Sequence, residues 1–270
     1  MRGADAPPRI SSRRLALFTW YARRLVARRF TAVRLMKDGL PAPIAAQTVF
    51  YANHASWWDP LVMLIVARAV YPGVAFYAPI DAAALERYPF LARLGFFGID
   101  LESPAGARRF LAVGESILSR PNTALALTPQ GGFADVRERP IELKGGLARL
   151  LTRVPAAHAV AVAIEYPFWN EARPEALVRF GQRNVSGGGR TRDGVALELS
   201  ARLERELDAL AAGACRRSPA DFVTLLDGAQ GIGFVQDLPS RLRAWRNGAR
   251  FDPRHTALNP SGEAARERPG

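Results

Sequence analysis

Apolar residues recur along this chain at two different spacings. Between residues 10 and 36 there is no Pro or Gly, and Leu15, Phe18, Ala22, Leu25, Val33 and Met36 fall at steps of three, four and their multiples. This spacing predicts a long amphipathic helix, or two shorter ones, over 10–36. After the break at Gly39, Pro41 and Pro43, short β-rich runs predict strands at 47–52, 74–78, 96–99, 123–127, 159–164 and 177–180. Stretches with helical periodicity alternate with them, at 59–69, 81–94, 105–118, 145–153 and 192–210. The alternation predicts an α/β fold with a mixed, largely parallel central sheet flanked by helices. Three regions are expected: a basic amphipathic helical region at 1–40, a domain at 45–235, and a C-terminal helix and flexible tail at 236–270. Gly187, Gly188 and Gly189 read as a loop, because they lack the spacing of a dinucleotide or phosphate-loop fingerprint.

Composition adds a direction to this outline. The chain has 270 residues, 49% hydrophobic and 23% charged, which excludes disorder of the whole. Its net charge is +12, unevenly placed: residues 1–37 hold ten Arg or Lys against Asp5 alone, so +9 lies there and +3 in the rest. Arg13, Arg14, Arg23, Arg24, Arg28 and Arg29 share the N-terminal helix with Trp20 and Tyr21, a combination suited to the headgroup region of an anionic bilayer. A solvated basic helix packed on the domain is the plainer reading. Nucleic-acid binding is the alternative prompted by a pI near 10.9, but the basic residues belong to no known recognition module. The most apolar stretch, 61–80, is broken by Arg68, Pro72 and Gly73 and predicts no membrane span. No secretory signal is read at the N-terminus. Cys215 is a lone cysteine, so an internal disulfide and a cysteine zinc site are both excluded, and no metal is expected.

The segment richest in chemistry is 49–61, V-F-Y-A-N-H-A-S-W-W-D-P-L. Here a predicted strand runs into Asn53 and His54, and Asp59 stands at the mouth of a predicted helix. On one continuous helix, residues five apart would point about 140° away from each other, so His54 and Asp59 meet only if the chain turns between them. A histidine held by a carboxylate has a fixed tautomer and one ring nitrogen ready to take a proton, which is what a general base needs. The structural alternative is that Asp59-Pro60 is a helix start, with Asp as cap and Pro in the first turn, and that His54 is a packed imidazole.

Four stretches in order bear on this choice. Asn53-His54 with Asp59 resembles a first motif N-H-x-x-x-x-D, and Gly95-Phe96-Phe97-Gly98-Ile99-Asp100 resembles a second, G-x-x-F-I-D-R. Leu127-Thr128-Pro129-Gln130-Gly131 resembles a third, F-P-E-G-T-R-S, and 155–164 resembles a fourth, an apolar V-P-V-A-I strand. Leu143-Lys144-Gly145-Gly146 also matches an F-K-x-G segment. In this order and spacing the chain resembles the glycerolipid acyltransferases, the family typified by bacterial 1-acyl-glycerol-3-phosphate acyltransferase, over roughly 45–235. The resemblance implies transfer of an acyl group from acyl-CoA or an acyl-carrier-protein thioester to a lipid hydroxyl at the cytoplasmic side of a membrane, with no further cofactor. It implies His54 as general base, Asp59 as the group that orients it, and Asn53, Gln130, Gly131, Gly132 and Lys144 as substrate-binding. Backbone N–H groups around Gly131 and Gly132 would meet the developing oxyanion.

The departures from the pattern are informative. Leu101 stands where the second motif ends in Arg, and Gln130-Gly131-Gly132-Phe133 replaces Glu-Gly-Thr-Arg in the third. Both arginines that the family uses for an acceptor phosphate are therefore missing, and a neutral side chain supplies neither their charge nor their bidentate fork. Arg108, Arg109, Arg137 and Arg139 are candidate substitutes, though solvated arginines are the commoner case. The expected acceptor is thus a lipid or glycolipid other than lysophosphatidate bound in the standard way. A catalytically lapsed lipid-binding relative is the alternative. His158 reads as structural, and Trp57, Trp58, Phe96 and Phe97 read as core, with an acyl-chain groove as the second possibility.

Overall fold

A computed structural model describes residues 6–44, 47–181 and 185–228; the predicted tail at 236–270 lies outside them. The first element, α1 (Ser12–Arg29), is shorter than its apolar spacing predicts. Ser11 caps it by accepting from the Arg14 N–H, and Phe30 ends it in extended backbone. Thr31 is then drawn away from the helix: its N–H donates to Pro174 O at 2.8 Å and its hydroxyl to Arg173 O at 2.8 Å. The chain enters β1 (Ala32–Met36), which pairs in parallel with β7 (Glu175–Phe180) and antiparallel with β9 (Phe222–Asp227). Val33 and Met36 therefore belong to a strand, and the 1–40 region is not separate from the domain. A five-residue apolar run fits either period, and sheet pairing decides between them.

Between these come β2 (Thr48–Ala52), β3 (Ala75–Asp81), β4 (Phe96–Ile99), β5 (Thr123–Leu127), β6 (His158–Glu165) and the short β8 (Val185–Ser186). The order across the sheet is β4-β3-β5-β2-β6-β7-β1-β9, with β8 beside β6. From β4 to β6 every pairing is parallel. Antiparallel pairings bring in β7, β8 and β9. The sheet is mixed and mostly parallel, as the alternating pattern predicts.

Side chains alternate across the sheet with the period of two expected of strands. In β2, Val49 and Tyr51 enter one apolar core while Phe50 and Ala52 enter the other. Both faces are covered, so the strand is buried throughout. One face carries α1 and α2 (Asp59–Val70), whose Leu61, Val62, Ile65 and Val66 are buried there. The other carries α4 (Pro104–Leu118), α5 (Gly146–Arg153) and α6 (Arg192–Arg216). The single helix predicted at 81–94 is split. A short α3 (Ala82–Arg87) is followed by a 3-10 turn, Pro89–Leu94, because Tyr88 precedes a proline and is driven out of helical backbone.

One consequence positions the site. The chain leaves β2 for α2 on one face, whereas it leaves β5 for α5 on the other. Neighbouring parallel strands whose connections diverge open a crevice at their C-terminal ends, the place where open α/β sheets bind ligands. His54 follows β2 there and Gln130 follows β5. Because β1 lies between β7 and β9, removal of residues 1–36 is expected to abolish cooperative thermal unfolding by circular dichroism, not merely to detach a tail.

Candidate active site

The site begins where the β2 ladder ends. Asn53, only 2% exposed, extends the pairing by side chain: its Nδ2 donates to Ile164 O at 2.9 Å and its Oδ1 accepts from Ile164 N at 2.8 Å. Sequence resemblance placed Asn53 against substrate, but both ends of its amide are taken by β6, and it is a clamp that fixes the next residue. His54 is tied in turn to the loop after β5. Its N–H donates to Gln130 Oε1 at 2.7 Å, and its carbonyl accepts from Ala134 N at 2.9 Å.

From His54 the chain turns, and Asp59 opens α2 with Pro60 in the first turn, where a missing N–H costs nothing. The turn brings Asp59 Oδ2 to 2.8 Å from His54 Nδ1. The same oxygen accepts from the Ser56 N–H at 3.0 Å, and Oδ1 accepts from the Tyr166 hydroxyl at 2.6 Å. Asp59 does not cap the helix by side chain, so its carboxylate serves the histidine. That carboxylate is 1% exposed, yet three donors converge on it, the condition under which a buried charge is tolerated. A proton on Nδ1 given to Asp59 would leave Nε2 with its lone pair, and the ring is 22% exposed.

Tyr166, the third donor to Asp59, belongs to none of the sequence motifs. It follows β6 and lies 107 positions from Asp59, so no local spacing announces it. Burial above all, then the charge of Asp59 and the hydrogen bond to it, pushes its hydroxyl well above the ordinary tyrosine range. It therefore stays a donor to the Asp59 carboxylate. Phe30, at the end of α1, packs on both Tyr166 and Trp58, with ring centroids 5.5 and 5.2 Å away.

The loop after β5 forms the opposite wall. Gly131 has φ +75°, a left-handed backbone, and a Cβ there would lie 2.5 Å from Lys144 Cε. Its N–H donates to Thr128 O at 3.2 Å, so of the two glycines expected at an oxyanion, this one is occupied. Gly132 is open, with nothing within 4 Å of a would-be Cβ. Phe133 is 64% exposed, and its ring centroid is 4.4 Å from that of His54. Lys144 donates its N–H to Pro129 O at 2.8 Å, lays its chain along Gly131 and brings Nζ to 3.5 Å from Glu102 Oε1.

Of the other candidates, Arg137 lines a second cavity beside the site, with Ala55, Ala134 and Tyr166. Arg109 donates to Gly98 O at 2.8 Å, Arg137 pairs with Asp135 and Arg139 with Asp208, while Arg108 is exposed on α4. Leu101, at the end of β4, is 42% exposed. Phe97 is core, and Trp57 is 65% exposed. His158 sits at the opposite end of β6, with Nε2 3.1 Å from the Thr48 hydroxyl, and burial lowers its pKa.

This arrangement of sheet, crevice and side chains can be set beside known proteins. By sequence, the chain matches no family model and no curated protein. By structure, it is an α/β fold similar to that of an acyltransferase. That protein is the 1-acyl-sn-glycerophosphate (LPA) acyltransferase PlsC of Thermotoga maritima, whose crystal structure has a TM-score of 0.53 and 14% identity. The likeness covers 73% of this chain and 80% of that one, and at this identity it establishes the fold.

The geometry makes a stability prediction. Tyr166→Phe removes one donor from a buried carboxylate without changing shape, and is expected to cost about 1–3 kcal/mol in urea unfolding. An unchanged midpoint would mean that Asp59 does not depend on the tyrosine.

Proposed function

We propose that this protein is an acyltransferase that moves a fatty acyl group from an acyl-CoA or acyl-carrier-protein thioester to a lipid hydroxyl. The observation that carries the reading is the His54 ring, fixed through Nδ1 by a buried, triply hydrogen-bonded Asp59 and open at Nε2 in the sheet's crevice. The fold it shares with a lysophosphatidate acyltransferase and the four ordered motifs support the same reading.

In the proposed step, the acceptor oxygen attacks the thioester carbonyl carbon while His54 Nε2 takes its proton. The carbonyl π pair moves onto oxygen, where the Gly132 N–H is the available backbone donor. Collapse restores the carbonyl and breaks the carbon–sulfur bond, and the imidazolium returns the proton to the leaving thiolate. Asp59 stabilises the transient imidazolium and holds its orientation. No acyl-enzyme forms, and no metal is required. Lys144, at the rim beside Gly131, is proposed to meet an anionic group of the donor. The acceptor differs from lysophosphatidate in the standard mode, since Leu101 and Phe133 occupy the two family arginine positions.

Attachment to an anionic membrane is proposed through α1. Its inner stripe is buried at Ala22 and Val26, while Leu17, Trp20 and Tyr21 project outward at 67%, 55% and 50% exposure among arginines. Tyr88 and Phe90, each 46% exposed, adjoin this face, and the Phe18 and Phe90 rings are 6.1 Å apart. No helix among the described residues is long and apolar enough to cross a membrane.

His54→Ala is expected to lower acyl transfer by about 10²–10⁴-fold or more, and an unchanged rate would end this mechanism. Since deleting the N-terminus removes a strand, attachment is better tested by Leu17→Ser with Trp20→Ser. This pair is expected to release the protein from phosphatidylglycerol vesicles, which the wild type binds less tightly as salt rises. Undiminished binding of the double variant would show that α1 is not the anchor.

A further inference from the structure

Beside His54 the loop after β5 folds back on itself and leaves a cleft of about 200 Å³, walled by Gln130, Phe133, Glu138, Ile141 and Glu142. The cleft adjoins the base through two of its walls: Phe133 lies against the His54 ring, and Gln130 accepts from the His54 backbone N–H. Both walls are anchored: the first by Ala134 N to His54 O at 2.9 Å, the second by Ile141 N to Glu204 Oε1 at 2.7 Å and by Arg139 to Asp208 at 2.6 Å. Its shape is thus set by the fold.

The chemistry of the lining is opposite to that of a phosphate site. No residue lining the cleft is cationic, and two are carboxylates. Arg137 and Arg139, the cations nearest along the loop, are engaged by Asp135 and Asp208. A phosphate here would face two carboxylates and no guanidinium fork, with the nearby Lys144 ammonium already 3.5 Å from Glu102 Oε1. A cationic headgroup is disfavoured too. Gln130 must use its oxygen on the His54 N–H, which leaves an amide NH₂ as the group it offers, and the Lys144 ammonium lies just behind Gly131. What remains is a neutral ligand that donates to carboxylates, accepts from an amide and presents an apolar face to an exposed phenyl ring.

We propose that this cleft holds a neutral polyhydroxyl headgroup of the sugar type and presents one of its hydroxyls to His54. A sugar ring carries all three features, with C–H groups over the Phe133 ring, hydroxyl donors toward Glu138 and Glu142, and hydroxyl acceptors toward the Gln130 amide. The inference rests on the acyl-transfer reading and names its acceptor class. In these terms Phe133 and Gln130 are specificity residues, and the loss of the family arginines is one side of a change whose other side is the pair of glutamates.

The test uses the full chain, one acyl-CoA donor and three acceptors of matched chain length: decyl β-D-glucoside, decanoyl lysophosphatidate and a decyl-dimethyl-ethanolammonium alcohol. The glucoside is expected to exceed each of the others by about tenfold or more in kcat/KM. Glu142→Gln and Glu138→Gln, both at exposed positions, are expected to raise KM for the glucoside several-fold, and Phe133→Arg combined with Glu142→Gln to shift preference toward lysophosphatidate by about tenfold. Preference for the lysophosphatidate or the cationic alcohol in the wild type would overturn this inference and leave acyl transfer standing. Acylation of none of the three, with His54-independent thioester loss, would overturn the acyl-transfer reading itself and this inference with it.

Discussion

A single buried carboxylate organises this site. Asp59 is almost wholly removed from water at the start of α2, and alone it would be strongly unfavourable there. Ser56, His54 and Tyr166 each bring it one donor, and each comes from a different part of the fold: the turn, the end of β2 and the segment after β6. The charge is tolerated only when β2 and β6 are in register and the turn between His54 and Asp59 is formed. Site geometry and folding are therefore coupled, since a shift of β2 against β6 would break the Asn53 clamp and move His54 away from its partner.

The excess positive charge and the candidate active site lie on different surfaces. The arginines crowd the outward face of α1 with exposed aromatics, whereas the cleft beside His54 is lined by glutamates and a phenyl ring. Phe30 connects the two, packing the end of α1 against Trp58 and Tyr166. A lipid surface held by the helix would thus lie close to the crevice.

Much of the layered fold was legible in the sequence. The β-rich runs that became β2 to β7 and the periodic stretches that became α2, α4, α5 and α6 were each long or regular enough for one period to prevail. β1 was hidden because no Pro or Gly marks the exit from α1; what bends the chain is Thr31 bonding to Pro174 and Arg173, far away in sequence. β9 follows a long helix with no alternation of its own, having two consecutive exposed positions at Val223 and Thr224. Within the site, His54 and Asp59 were visible from five residues of sequence, but Tyr166 and the true task of Asn53 depend on contacts across more than a hundred positions. The Gln130 oxygen is bound to the His54 backbone, a contact across 76 positions that no motif announces.

The central claim is that Asp59 fixes His54 with its proton on Nδ1 and its lone pair on Nε2. Nitrogen-15 NMR of the histidine rings tests this directly, and with three histidines in the chain a comparison with His54→Ala assigns the signal. Neutral His54 is expected to be the Nδ1–H tautomer, and Asp59→Asn is expected to alter its tautomer balance. A dominant Nε2–H tautomer in the wild type would contradict it, because the carboxylate would then face a nitrogen with no proton to give.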